Sequence, residues 1–67
     1  MEERKFTLRQ WRVLNNMSRR ELAEKIGRDP STIVRWETDA SAQPRIDDVA
    51  KIEQALGIDW AKDVRLP

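Results

Sequence analysis

Apolar residues recur along most of this chain at intervals of three and four, which is the spacing of a helix with one buried face. No stretch alternates apolar and polar residues for long enough to predict a strand. Four helical stretches are followed by a shorter one, from Asp59 to about Val64. The pattern therefore predicts an all-α fold of five short helices. The residues expected to point inward on the first four are Leu8, Trp11 and Leu14 with Val13 beside them, then Leu22, Ala23 and Ile26, then Ile33, Trp36 and Glu37, and finally Ile46, Val49, Ile52 and Leu56.

The residues at the ends of these stretches are of the types that begin and end helices. Thr7 and Ser18 each precede a Gln or Glu by three positions, which is the capping-box pattern. Asp29 is followed by a proline, and a proline at the first helical position loses no hydrogen bond. Gly27 and Gly57 follow the second and fourth stretches, where helices commonly end with a left-handed residue. Two hydrophobic staples are also predicted, Phe6 with Trp11 and Met17 with Leu22.

The second and third helices together predict a helix-turn-helix motif. Ala23 lets another helix cross closely, Gly27 turns the chain sharply, and Ile33 and Trp36 pack the third helix onto the second. Two helices at a steep angle, joined by a turn of about three or four residues, have this geometry. An ordinary helical hairpin in a small bundle is the alternative that the spacing leaves open. The predicted core of the motif is Leu22, Ala23, Ile26, Gly27, Ile33 and Trp36.

The opposite side of the third helix carries small groups and one arginine. With Ile33 pointing inward, steps of about 100° per residue direct Ser31, Val34, Arg35 and Thr38 outward. Arginine can bond O6 and N7 of guanine together, hydroxyl groups can bond base edges or phosphates, and valine can contact a thymine methyl group. The start of this helix is also expected to offer free N–H groups to a phosphate. A solvated surface without a partner is the alternative.

The charges of the chain are unevenly distributed. Its formal net charge is only +1, but residues 1–35 contain nine Lys and Arg against five Asp and Glu, a balance of +4. Residues 36–67 contain four against seven, a balance of −3. Such segregation can produce a basic surface on a nearly neutral protein. A surface of mixed, solvated charges is the alternative.

Composition limits the classes of function. A chain of 67 residues is one domain, near the lower size limit for folding without a metal or disulfide. It contains no cysteine and no histidine, so disulfides are excluded and the commonest metal ligands and general base are missing. No stretch resembles a signal peptide or a membrane span. We therefore expect a cytoplasmic protein that is not an enzyme, takes no cofactor, metal or small-molecule ligand, and does not contact a membrane.

From Thr7 to about Val64, the chain resembles the Cro/C1-type helix-turn-helix proteins, the XRE family, whose members are lambda repressor-like DNA-binding domains. The resemblance implies five helices, insertion of the third helix into the major groove of an operator, and a homodimer. We expect a DNA-binding domain over residues 7–64, a flexible arm over residues 1–6 and a tail over residues 65–67. The resemblance is carried by LRQWRVLNNMSRRELAEKIGRDPSTIVRWE, by Pro44 and by IDDVAKIEQALGI.

The same resemblance assigns roles to individual residues. Arg12 and Glu37 match a structural pair that ties the first helix to the end of the third. Its base-reading positions correspond to Pro30, Ser31 and Arg35, of which Arg35 is the first choice for direct readout, and its phosphate contacts correspond to Arg19, Gln43 and Arg45. Beside these, we expect Thr32 and Val34 near bases and Thr38 and Arg28 near phosphates.

Some residues depart from the family pattern. Pro30 and Ser31 stand where members commonly have two glutamines, so bidentate reading of adenine is lost at the proline. Arg19 replaces a glutamine and is expected to favour phosphate through its charge. Asp39 replaces a glycine and would tolerate left-handed geometry at some cost. Arg28 replaces an apolar residue, which predicts a looser or more exposed turn.

The sequence therefore favours a small transcriptional regulator, a repressor that binds double-stranded DNA. A dimer through the fourth and fifth helices would read a site of roughly two-fold symmetry. The alternative is a protein-interaction module of the same fold, such as the antitoxin of a toxin–antitoxin pair. Its contact surface would be the acidic second half, with Trp60 and Val64 at the interface.

Overall fold

A computed structural model describes residues 5–66 of the chain. Over that range the elements are β1 (Phe6–Thr7), α1 (Leu8–Leu14), α2 (Arg19–Ile26), α3 (Pro30–Thr38), α4 (Ile46–Leu56), α5 (Trp60–Asp63) and β2 (Val64–Arg65). The predicted all-α class with five helices is confirmed. Residues 1–4 of the expected arm and residue 67 of the expected tail lie outside the described residues. Within residues 5–66, no helix combines the length and the apolar character needed to cross a bilayer.

The helices begin at the predicted caps. Thr7 Oγ1 accepts the Gln10 N–H at 3.2 Å, and Gln10 Oε1 accepts the Thr7 N–H at 2.9 Å. The same reciprocal pair starts α2, where Ser18 and Glu21 exchange two hydrogen bonds of 3.0 Å. Each pair satisfies N–H groups that a helix start otherwise leaves without partners. These starts are fixed by residues a few positions apart in the chain.

The core lies where α2 packs against α3 and α4. Its centre consists of aliphatic side chains with almost no exposed surface, and aromatic residues close its edge. Burial of these apolar side chains is the main force that holds the helices together. The buried core residues are Leu8, Leu22, Ala23, Ile26, Ile33, Trp36, Ile52 and Leu56, with Trp11, Met17, Ala42, Ala55, Ile58 and Trp60 packed against them.

Three residues predicted to point inward are exposed instead. Val13 and Leu14 are 60% and 63% exposed, because α1 buries Leu8 and Arg12, and Leu14 lies about 200° around the helix from Arg12. Ile46 is 87% exposed at the first position of α4, where Asp48 turns inward. On α1 and α4, a buried charged side chain with an ion-pair partner thus helps to decide which side of the helix is inside.

The chain ends are joined by two short strands that the sequence did not predict. β1 and β2 are parallel, with Phe6 opposite Val64 and Thr7 opposite Arg65. Phe6 packs edge-on against Trp11 at a centroid distance of 5.1 Å, and the Trp11 indole N–H donates to the Asp63 carbonyl at 2.7 Å. Phe6 and Arg65 each lie one residue outside the expected 7–64 domain.

Candidate nucleic-acid interface

Helices α2 and α3 are joined by the three residues Gly27, Arg28 and Asp29. Gly27 has a φ of 72°, in the left-handed region that glycine adopts without strain. The Arg28 N–H donates to the Ala23 carbonyl at 2.9 Å, which closes the end of α2. Asp29 returns to extended geometry and caps α3. The chain therefore reverses within one tight, hydrogen-bonded turn.

Helix α3 has a buried side and an open side. Ile33, Trp36 and Glu37 are buried against the rest of the domain. Ser31 and Arg35 are exposed, so the polypeptide does not cover them. The other positions expected near DNA are also on the open side: Thr38 is exposed, and Pro30, Thr32 and Val34 are partly exposed.

The hydroxyl groups on the open side already have partners. Ser31 Oγ donates to Asp29 Oδ1 at 2.7 Å, and Thr38 Oγ1 donates to the Val34 carbonyl at 2.8 Å. Both hydroxyls therefore present acceptor lone pairs to an incoming molecule rather than a free hydrogen. Within the described part of the chain, no carboxylate forms an ion pair with Arg35. Arg35 is thus the strong donor of this surface.

The start of α3 differs from the expectation of free N–H groups. Proline has no N–H at the first position, the Ser31 N–H donates to Asp29 Oδ1 at 2.8 Å, and the Thr32 N–H donates to the Asp29 carbonyl at 2.9 Å. Hydrogen bonds from Ser31, first from its hydroxyl and then from its N–H, lower the pKa of Asp29. The expectation of free N–H groups for a phosphate is wrong, because the carboxylate and the backbone carbonyl of Asp29 occupy them.

A second carboxylate lies at the other end of α3. Asp39 Oδ1 accepts the Ser41 hydroxyl at 2.6 Å and the Ser41 N–H at 2.9 Å, and these bonds lower the pKa of Asp39. Its φ is −121°, so the expected left-handed geometry is wrong. Asp39 is the C-cap residue of α3, and its side chain stabilises the start of the following loop through Ser41.

One buried carboxylate ties α3 to both preceding helices. Glu37 Oε2 accepts Arg12 Nε at 2.7 Å, and Glu37 Oε1 accepts Arg19 Nε at 3.0 Å. Arg12 also donates from Nη1 to the Met17 carbonyl at 2.8 Å. Arg19 therefore braces Glu37 through Nε, and the phosphate contact expected from its charge stays a prediction. Its side chain is still 41% exposed, which leaves the Nη groups near the surface.

The turn arginine is held as well. Arg28 Nε and Nη2 donate to Asp48 Oδ1 and Oδ2 at 2.8 and 3.2 Å. The turn is therefore not loose, although its residues are exposed, as the other alternative predicted. The guanidinium expected on a phosphate is engaged by Asp48. The pKa of Asp48 is lowered, first by the hydrogen bonds from Arg28.

The loop between α3 and α4 leads to the remaining expected phosphate contacts. Gln43 Nε2 donates to the Ala40 carbonyl at 2.6 Å, which folds this side chain over its own loop. Arg45 is exposed, and within residues 5–66 its side chain takes part in no ion pair. Within residues 5–66, Arg35 on α3 and Arg45 at the end of the following loop are thus both exposed and outside any ion pair.

A family model described as helix-turn-helix matches residues 8–62. The chain belongs to the Cro/C1-type helix-turn-helix family. No curated protein and no solved structure matches it. The match covers the turn, α3 and the loop described above.

The two residues suggested for a protein interface lie differently in this helix-turn-helix domain. Val64 is 9% exposed and belongs to β2, so it does not form a surface. Trp60 is partly buried against the core, and its backbone N–H donates to Glu53 Oε2 at 2.8 Å. Exposed apolar surface is found instead on α1, where Phe6, Val13 and Leu14 border an open groove of about 400 Å³.

Sequence reasoning missed the side-chain contacts that Asp29, Asp39 and Asp48 make around this helix-turn-helix. Asp29 and Asp39 had been interpreted through the start of α3 and the replaced glycine, and Asp48 was not singled out. The signal for Asp39 was available, because an Asp two positions before a Ser favours a local side-chain turn. The Arg28–Asp48 pair had no local signal, since twenty positions separate the two residues.

Proposed function

We propose that this helix-turn-helix protein binds double-stranded DNA in a sequence-specific manner and acts as a small transcriptional repressor. Helix α3 would enter the major groove with its open side toward the bases. The observation that carries the proposal is Arg35, exposed on α3 while Ile33, Trp36 and Glu37 anchor the opposite side. An exposed, unopposed arginine on a rigid helix suits recognition of a guanine edge. A cytoplasmic location is part of the proposal, because the regulated DNA would lie there.

The side chains around Arg35 suit shorter and weaker contacts. Thr32 and Val34 present methyl groups that fit the thymine methyl, and Pro30 can make apolar contact only. Ser31 can accept a hydrogen bond while its hydrogen remains on Asp29. Arg35 is therefore proposed to supply most of the direct readout, with these residues refining the choice at adjacent bases.

Phosphate contacts are proposed at the margins of α3. Arg45 is free to reach a phosphate from the loop, and the exposed Nη groups of Arg19 can do so while Nε stays on Glu37. Gln43 keeps one amide N–H for a phosphate while the other bonds the Ala40 carbonyl, whereas Thr38 would need to exchange its internal hydrogen bond for a contact with DNA. Arg28 is left out of this set because two of its guanidinium nitrogens donate hydrogen bonds to Asp48.

A homodimer on DNA completes the proposal. The region of α4 and α5 offers partly exposed Ile58 and Trp60, followed by Leu66, which is 51% exposed. Two copies related by a two-fold axis would place two α3 helices about one turn of DNA apart and double the contacts. The bound site would then be roughly palindromic.

Selection of bound duplexes from a random pool tests the proposal. We expect an enriched site with two-fold symmetry and at least one constant guanine in each half. The affinity for that site, measured by fluorescence titration at several salt concentrations, should fall linearly on a log–log scale as phosphate contacts release counterions. No enrichment, together with no binding at low salt, would rule out DNA as the partner.

A protein-interaction module is the second candidate, and the exposed apolar surface of α1 favours it. Val13 and Leu14 project from a helix whose other side is already packed, and apolar surface of this kind often contacts another protein. An antitoxin bound to its toxin is one function of this class. The same titration separates the two candidates, because this module would bind its protein partner without requiring a duplex.

A further inference from the structure

A single carboxylate connects the turn before α3 to the start of α4. Asp48 is the third residue of α4, and its side chain is 4% exposed. Its two oxygens accept Arg28 Nε at 2.8 Å and Nη2 at 3.2 Å. Oδ2 also accepts the backbone N–H of Arg45 at 3.4 Å. Asp48 thus contacts both the turn and the end of the α3–α4 loop.

Both ends of this connection are attached to fixed backbone. Arg28 lies between the left-handed Gly27 and the cap of α3, and its N–H is bonded to α2. Asp48 belongs to a helix that packs against α2. A guanidinium that bridges two carboxylate oxygens holds a planar fork geometry that a single hydrogen bond does not. The pair therefore fixes the start of α3 relative to the segment that carries Arg45.

We propose that Arg28 and Asp48 act as a positioning clamp that sets the spacing between α3 and the phosphate-contacting segment at residues 43–45. The inference rests on the proposed function, in which α3 reads bases and this segment meets the backbone of the same duplex. Phosphate contacts fix the register of a protein on DNA, and base contacts then depend on that register. Loss of the clamp would misplace one set of contacts relative to the other, although every contacting side chain remains.

The competing explanation is that Arg28 itself contacts a phosphate, and the two explanations predict opposite signs for Asp48→Asn. If Arg28 contacts DNA, this change frees its positive charge and removes a negative one, so binding should tighten. If the pair is a clamp, the same change should weaken binding although the protein becomes more positive. Asp47→Asn is the matched control, because it removes the same charge from the exposed neighbouring position and leaves the pair intact.

The experiment uses the full chain and the duplex enriched from the random pool. We expect Asp48→Asn to bind roughly tenfold more weakly than Asp47→Asn, the change that corresponds to losing about one charge-assisted hydrogen bond. Arg28→Lys keeps the charge but cannot bridge both oxygens, so it should also bind more weakly than the wild type. In the free proteins, backbone amide signals of residues 40–43 should shift in Asp48→Asn and Arg28→Lys but not in Asp47→Asn. Urea unfolding of each variant shows that it is folded at the assay temperature.

If Asp48→Asn binds the duplex as tightly as Asp47→Asn, the clamp proposal is wrong. Unchanged amide signals of the loop in Asp48→Asn would overturn it as well. If Asp48→Asn does not fold, Arg28→Lys decides: wild-type affinity would overturn the proposal, and weaker binding with shifted loop signals would support it. A wild-type protein that binds no duplex would refute the proposed function instead. The loop signals of the free variants would then still support or overturn the role of the pair in fixing residues 43–45.

Discussion

Three arginines around the helix-turn-helix are held by two carboxylates. Arg12 and Arg19 share Glu37, and Arg28 bonds Asp48 through two nitrogens. A count of basic residues in the first half of the chain therefore overstates the positive charge that DNA would meet. Arg35 and Arg45 become the residues on which affinity and specificity should depend most.

Arg35→Ala is expected to reduce the binding free energy by about 1–3 kcal/mol and to relax the choice of one base in each half of the site, since a bidentate contact is lost. Arg45→Ala is the matched control at the loop. It should weaken binding to all duplexes alike and lower the log–log salt slope by about one counterion. Titrations of both variants against the enriched duplex and its single-base variants measure these effects. An equal loss for Arg35→Ala on every duplex would make Arg35 a phosphate contact.

Arg12→Ala is expected to lower the unfolding free energy by about 3 kcal/mol, near the lower end of the cost of breaking a buried pair from one side, because Arg19 still contacts Glu37. Arg19→Ala should cost about 1 kcal/mol or less, since the pair that it breaks is partly solvated. Urea denaturation of the two variants gives the comparison. Equal losses would mean that the two arginines share the support of Glu37 evenly.

At the scale of the helices, stability depends on carboxylates that cap or clamp the chain. Glu21, Asp29, Asp39 and Asp48 all have lowered pKa values in the folded protein, because N–H, hydroxyl or guanidinium groups donate to them. A carboxyl group with a lowered pKa in the folded state contributes stability above the pKa of the unfolded chain. That contribution is lost as the pH falls through the folded value.

The unfolding free energy should therefore decrease as the pH is lowered below about 4, the usual pKa of a carboxyl group in an unfolded chain. Asp48→Asn should flatten this decrease, because the group held by Arg28 no longer titrates. Arg28→Gln should have a similar effect, since the largest cause of the lowered pKa of Asp48 is removed. Urea unfolding at a series of pH values from about 5 to 2 measures the slopes. A wild-type slope in Asp48→Asn would show that the pair adds nothing to acid stability.

The helix ends could be predicted because caps depend on residues within three or four positions of each other. Thr7, Ser18 and Gly27 lie where these local rules place them. The buried sides of α1 and α4 were predicted less well than the helix ends. Arg12 and Asp48 turn inward there because their ion-pair partners lie in distant parts of the chain. The open side of α3 was predictable from periodicity. The internal hydrogen-bond acceptors of its two hydroxyl groups could be identified only in the structure.

At the scale of the whole molecule, the two ends of the described chain hold each other. The paired strands and the indole hydrogen bond to Asp63 join the start of the described chain to its end. A pair of two-residue strands is too short to produce a period-two pattern. The sequence predicted the contact of Phe6 with Trp11, but the strand pairing was outside its reach.

Trp11→Phe is expected to lower the unfolding free energy by about 1–2 kcal/mol, because the Asp63 carbonyl loses its donor while most of the ring packing remains. Trp60→Phe is the matched control, since within the described residues the Trp60 indole nitrogen donates to no group. Urea denaturation of the two variants gives the comparison. A loss in Trp11→Phe no larger than that in Trp60→Phe would show that the indole hydrogen bond adds nothing to the closure of the chain ends.

The parallel direction of β1 and β2 also determines how the domain would respond to a mechanical load. A force applied to the two chain termini pulls β1 and β2 in opposite directions along their common axis. The backbone hydrogen bonds between them would then be sheared together rather than opened one after another. A single-molecule stretching experiment should accordingly find that this small helical domain resists extension more than a bundle of similar size whose ends are not paired.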